Sequence, residues 1–355
     1  MTPSQEKYLQ LLRCGLWDRQ SDQEVDPEVF AIAKEQSTTA LICKDSRIER
    51  YQDELMNVLW SHSRLNAVIA EISGILDARG IPSVLLKGQG CASFYPNPEL
   101  RNCGDIDLYV GTENYADAVA AIAVPGSPVK ECDRHAQLTY KKVTVEIHGA
   151  CIDTYWMRRK KTLAQIEKQG LSKNLQTIEI GGATINIPEV NFNAVYILYH
   201  LTHHLVYGGI GFRQICDWTM LLHSQKDKLD RGVLALMLEN THLLDTWQLF
   251  GYIAVNTLGL PKEEMPFYSD SPAPRAAAVV DRIFSCGNFG RAADDSVQRK
   301  IRSRKTFIGR KATAMFSYIG DYFEKRKMIP DFMPLTALFS MLWTGIRSSL
   351  NSKQS

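Results

Sequence analysis

The chain has 355 residues, of which 45% are hydrophobic and 23% charged, the proportions of an ordinary globular protein long enough to bury a large core. Its 41 Lys and Arg against 39 Asp and Glu leave a formal net charge of +2, which excludes a global field demanding nucleic acid or a membrane surface as partner. The eight cysteines include no C-x-x-C pair, so they read as thiols of a reducing compartment with no disulfide-linked partner expected.

Met1 to Gln10 is polar and lacks an apolar signal core, and the apolar run Met333 to Ile346 is interrupted by Pro334 and too short to span a bilayer. The expectation is a cytoplasmic protein without a membrane partner.

In chain order, Ser4–Leu12, Pro27–Gln36 and Arg50–Ala78 carry apolar residues at three- and four-residue spacing, which predicts helices ending near Gly80. The pattern then changes. Ile81–Leu86 reads as a short strand, followed by Lys87-Gly88-Gln89-Gly90 and a short helix towards Tyr95. Asp105–Val110 alternates polar and apolar as a second strand, and Thr112 is placed to cap a helix over Glu113–Ala123. Gln137–Tyr140 and Val143–His148 form a predicted hairpin, and Leu175–Ile180 with Ala183–Ile187 a second strand pair around Gly181-Gly182. Helical spacing returns over Phe192–Val206, Gly211–His223, Gly232–Leu258 and Ala276–Phe284. The order predicts an α+β protein: residues 1–80 a helical segment packed on the core, 81–188 a catalytic core built on a small mixed sheet, and 189–355 a helical domain.

The chemistry concentrates in Gly104-Asp105-Ile106-Asp107-Leu108. Residues two apart on a strand face one side at about 6.5–7 Å, so Asp105 and Asp107 project together while Ile106 and Leu108 enter the core. Two such carboxylates repel, and a hard divalent cation removes the conflict. A two-metal centre wants a third acid, and Glu146 supplies it from the polar face of Val143–His148, with His148 beside it to orient a carboxylate or touch phosphate. Lys87-Gly88-Gln89-Gly90, between a strand and a helix, can present backbone N–H groups and a positive charge to phosphates.

Other residues carry two readings each. Arg101 either neutralises phosphate or pairs with Glu99. Arg213 and Asp217, four apart, are either an intrahelical ion pair or part of a nucleotide cleft. His200, His203 and His204 suit a core or cleft role better than zinc, for want of companion ligands. Tyr95 and Trp218 can stack on a base or fill the core. The basic run Lys300, Arg302, Arg304, Lys305, Arg310 and Lys311 reads as a solvated helix face.

Val84–Gly88, Tyr95–Arg101, Gly104–Leu108 and Glu146-Ile147-His148, with His203-His204, Gly209–Gln214, Asp217-Trp218 and Gly287–Gly290, resemble the uncharacterised nucleotidyltransferase family of bacteria. The resemblance spans roughly Ile81 to Gly290. It implies a polymerase beta-like nucleotidyltransferase core flanked by N-terminal helices and a C-terminal helical domain. It also implies Mg2+ as cofactor, in two ions with Mn2+ as a substitute, and an NTP donor. The implied enzyme is a transferase that moves a nucleoside monophosphate to a hydroxyl acceptor and releases pyrophosphate. Asp105, Asp107 and Glu146 are then the catalytic and metal residues, with Lys87, Gly88, Gln89, Gly90, Arg101, His148, His203, Arg213 and Asp217 around the nucleotide. The wider superfamily places a serine where Gln89 stands, so the Gln89 amide or Lys87 would have to replace its hydroxyl. The acceptor stays open among a sugar, a small alcohol, a protein and an RNA end. The alternative is a catalytically inactive nucleotide-binding or scaffolding protein of the same fold.

Overall fold

The computed structural model describes residues 1–131, 134–152, 160–207, 209–287 and 319–333. Local sequence rules set many of its element ends. Helix α1 (Pro3–Leu16) opens on a capping box between Thr2 and Gln5, and α2 (Pro27–Gln36) on the Asp26 carboxylate, which accepts from the Val29 N–H. Pro3 and Pro27 occupy first helical positions, where no N–H is needed. A short α3 (Thr39–Cys43) precedes the long α4 (Glu49–Asp77), whose buried face runs through Leu65, Val68, Ile69, Ile72 and Leu76.

Gly15 sits where α1 crosses α3, and a Cβ there would overlap the Leu41 carbonyl. Because backbone cannot step aside as a side chain can, Gly15→Ala is expected to lose about 1–3 kcal/mol of stability in urea unfolding. An unchanged midpoint would mean that the two helices are free to separate.

The sheet follows: β1 (Val84–Leu86), α5 (Gly88–Ala92), β2 (Asp105–Tyr109), α6 (Tyr115–Ile122), β3 (Lys130–Glu131), β4 (His135–Tyr140) and β5 (Val143–His148). Its order is β1-β2-β5-β4-β3, with β2 and β5 parallel and the other neighbours antiparallel. Ile106, Leu108, Val145 and Ile147 are buried on one face, as the two-residue period requires. After α7 (Lys160–Gly170), β6 (Gln176–Ile180) and β7 (Ala183–Ile187) form a separate hairpin. Gly181 and Gly182 turn it with φ of 59° and 81°, the signature of a two-residue turn with both central residues left-handed.

The helical remainder comprises α8 (Val190–Tyr207), α9 (Phe212–Ser224), α10 (Arg231–Thr241), α11 (Leu244–Asn256), α12 (Ala273–Cys286) and a further helix over 319–328. Trp218 and Trp247 are fully buried there, edge to face at 4.9 Å. The N-terminal helices tie into this half: Trp17 Nε1 donates to the Leu258 carbonyl at 2.6 Å, and Gln36 Oε1 accepts from the Phe212 N–H at 3.0 Å. The architecture is thus a small mixed sheet with helices on both sides in sequence, the α+β class expected.

Two local expectations differ from the structure. The stretch Gly232–Leu258 is two helices, because His242 takes a left-handed φ of 55° and ends α10. Thr112 caps nothing. Its hydroxyl turns to Glu113, and α6 begins at Tyr115 after Asn114, whose amide bonds the Val110 carbonyl. Of the two readings for Tyr95 and Trp218, the structure takes the core one, with both side chains buried.

The seven described cysteines form no disulfide, and among the described residues no helix is long and apolar enough to cross a membrane. Cys132, Gly208, Asn288 to Gly290, the basic run Lys300 to Lys311, and Pro334 to Ile346 lie outside the described residues.

Candidate active site

Parallel pairing of β2 with β5 sets Asp107 opposite Glu146 and Tyr109 opposite His148. With the apolar residues of both strands committed to the core, the acids meet on the other face. Asp107 Oδ1 receives Lys87 Nζ at 2.9 Å and His148 Nε2 at 2.9 Å. The same His148 nitrogen lies 3.6 Å from Glu146 Oε2. Glu146 Oε1 accepts from Gln137 Nε2 at 3.1 Å, and His135 Nε2 stands 4.0 Å from Oε2. One ligand atom from each of Asp107, Glu146 and His148 falls within 4.8 Å of the others.

Asp105 shares that face and the cavity but is not part of this tight group. Of the expected trio Asp105, Asp107 and Glu146, the structure brings Asp107 and Glu146 together with His148 and leaves Asp105 outside that group, on the wall of the same cavity.

Burial alone would raise the Asp107 pKa, but Lys87 and His148 outweigh it and hold the carboxyl well below the usual range. Desolvation and then the neighbouring Asp107 charge push Asp105 up. The nearby His148 leads the causes that lower Glu146. Opposite shifts on adjacent acids are a common mark of functional sites.

The turn that delivers Lys87 is strained. Lys87 has φ 46° and ψ −143°, and Gly88 has φ 41° with only 3.4 Å between a would-be Cβ and the Asp105 carbonyl oxygen. A non-glycine residue in such a conformation costs about 1–3 kcal/mol. Here it lets the Lys87 side chain turn back over β2 onto Asp107.

Gln89 does not reach the cavity. Its side chain is buried, and its amide donates to Asn66 Oδ1 at 2.5 Å and to the His62 carbonyl at 3.4 Å on α4. Arg101 pairs with neither Glu99 nor open solvent. Its Nε and Nη2 grip Asp217 at 2.7 and 2.6 Å, Nη1 points at Cys103 Sγ at 2.7 Å, and Tyr95 donates its hydroxyl to the same Asp217 at 2.7 Å. This is a buried bidentate pair, so Asp217 belongs to Arg101 and is not the intrahelical partner of Arg213.

A cavity of about 550 Å³ separates the sheet acids from α8 and α9, with Lys87, Gly88 and Arg134 on the sheet side and His200, His203, His204 and Arg213 opposite. The sequence reading missed His135 and Gln137 as companions of Glu146. The available signal was their alternation with buried Ala136 and Leu138 just before the hairpin.

His200 and His204, one turn apart, face each other Nε2 to Nε2 at 3.0 Å. That contact requires one unprotonated ring. Burial, reinforced by Lys87, pushes His204 down to about 4 and His200 well below its ordinary value. A depressed histidine leaves the unfolded chain binding more protons once pH falls below the ordinary histidine value of 6.5. Stability is therefore full above that pH and drains away down to about 4. Urea midpoints measured from pH 7 to 5 should fall less steeply for His204→Gln than for the wild type. Parallel slopes would show that this histidine titrates normally.

A family of uncharacterised nucleotidyltransferases matches residues 50–259, more than half of the chain and every site residue from Lys87 to Asp217. The chain belongs to this family. Among curated proteins none matches. A solved structure, that of an antigenic nucleotidyltransferase-like protein from Paracoccidioides brasiliensis, is similar at 13% identity and a TM-score of 0.32, over 51% of this chain and 91% of that one.

Nucleotidyltransferases typically use divalent metal ions, and the donor set here fits one. Asp107 and Glu146 offer carboxylate oxygens to a hard cation, Asp105 stands two residues along the strand, and His148 holds Asp107 in place.

Proposed function

We propose that this nucleotidyltransferase moves a nucleoside monophosphate from an NTP to a hydroxyl acceptor and releases pyrophosphate. The observation that carries the reading is the register pairing of Asp107 with Glu146 across parallel strands, on a face that opens into a nucleotide-sized cavity. In this reading residues 81–188 form the catalytic core and the helices after 188 the opposite wall.

The acceptor oxygen attacks the α-phosphorus, the bond to the bridging oxygen of the β-phosphate breaks, and pyrophosphate carries that electron pair away. Glu146 takes the acceptor proton, a role suited to a carboxylate kept ionised by His148. Magnesium held by Asp105, Asp107 and Glu146 would supply charge neutralisation on the phosphates. Lys87 and His148 fix Asp107 in one orientation, so the site is organised before substrate arrives. Gly88, on the cavity wall, leaves backbone room beside the phosphates, whereas Gly90 packs against Leu85 and Ile187 away from the cavity.

The test is incubation with α-labelled NTPs, magnesium and a cell extract. Label should pass to a discrete molecule, and its chemistry identifies the acceptor. No transfer with any of the four nucleotides would sink the enzymatic reading.

One observation favours an inactive nucleotide-binding protein instead: Gln89, at the superfamily's serine position, is bonded into α4. That protein would still gain about 2.7 kcal/mol from Mg-NTP at a hundred times its Kd while transferring nothing.

A further inference from the structure

Arg213, the second residue of α9, lines the cavity opposite the acids. Its Nη1 donates to the Asn102 carbonyl at 3.1 Å. Its Nε is shielded from solvent and has no hydrogen-bond partner, and among the described residues no carboxylate pairs with it. The nearest acid in sequence register, Asp217, is held on both oxygens by Arg101. Burial and the Arg101 charge both disfavour the Arg213 cation, with Asp217 and Asp105 offsetting them in part. A largely buried guanidinium without a counter-ion is costly unless an anion completes it.

The rest of the cavity says which anion. Lys87 spends its ammonium on Asp107, and Gln89 is turned away into α4. Neither residue of the turn after β1 is therefore left to hold the outer end of a triphosphate. The acids on the floor repel phosphate directly, so an anionic tail can be held there only through cations, and its far end must find positive charge across the cavity. The guanidinium fork matches phosphoryl oxygens in geometry as well as charge.

We infer that Arg213 is the seat of the terminal phosphate of the donor's polyphosphate tail, a role that deepens, and rests on, the nucleotidyl-transfer reading. Arg101, its neighbour, is a structural cation; Arg213 is the binding one.

The probes are inorganic tripolyphosphate without metal and the four Mg-NTPs, applied to wild type, Arg213→Met and Arg213→Lys by calorimetric titration and thermal melting. Tripolyphosphate should bind the wild type and raise its Tm. Arg213→Met should weaken that binding at least tenfold, and Arg213→Lys should restore part of it. In phosphate-free buffer Arg213→Met should melt no lower than the wild type, since it removes an uncompensated charge. A clear drop there would make Arg213 a structural residue and overturn the assignment. Equal responses of wild type and Arg213→Met to tripolyphosphate and Mg-NTP would also overturn it, while leaving nucleotide binding intact. Binding of tripolyphosphate lost in Arg213→Met, with no response to any Mg-NTP, would keep the anion seat and remove the nucleotide. Silence from the wild type to every probe would remove both.

Discussion

If the proposed transfer holds, Asp107→Asn is expected to lose about a thousandfold or more in its rate and also to unfold in less denaturant than the wild type. The rate loss follows from the position of the carboxylate, which faces Glu146 across the strands and belongs to the tightest acid and imidazole group among the described residues. The stability loss follows from what leans on it. Lys87 Nζ and His148 Nε2 both donate to one Asp107 oxygen, and the Lys87 and Asp107 side chains are only 16% and 4% exposed. Removing the anion leaves a buried ammonium without its closest partner, an effect of about 3 kcal/mol. Glu146→Gln separates the two consequences. Its side chain is more exposed, at 19%, and no ammonium sits on it, so transfer should collapse while the urea midpoint moves little. Equal destabilisation by the two variants would mean that Lys87 is not anchored as described.

Asp217→Ala should be the most destabilising single substitution in the helical half, at about 3–5 kcal/mol. Arg101 would lose two charge-assisted bonds and Tyr95 its acceptor, all in side chains shut off from water. The pair Arg101→Met with Asp217→Leu should recover most of the loss, because filling a buried ion-pair site with apolar volume is often neutral. Urea unfolding of both singles and the double closes the cycle. Singles within about 1 kcal/mol of the wild type would show the pair to be solvated and weak.

The acid centre was legible in the sequence because a strand writes its faces in alternate letters. Asp105-Ile106-Asp107-Leu108 and Val145-Glu146-Ile147-His148 each declare a polar and an apolar side, and the structure pairs those strands as neighbours. The same alternation put His148 on the polar face, to orient a carboxylate or touch phosphate, and the structure seats it on Asp107. The Arg101 partner was not legible. Spacing pointed to Glu99 or to an Arg213–Asp217 pair, whereas packing of the sheet turn under α9 joins Arg101 to Asp217, 116 positions away. Gln89 was misplaced for a similar reason. Its letter fixes an amide, but the rotation of the short α5 against α4 decides that the amide meets Asn66 rather than phosphate. The break at His242 was hidden because no glycine or proline marks it, and apolar spacing runs through Thr241-His242-Leu243.

The most direct measurement is a crystal of the protein grown with Mn2+ and a non-hydrolysable NTP analogue, read by the anomalous signal of manganese. A manganese peak is expected between the carboxylates of Asp107 and Glu146, with the analogue's phosphates against it. A nucleotide bound elsewhere, or a site without manganese in which Lys87 still holds Asp107, would contradict it.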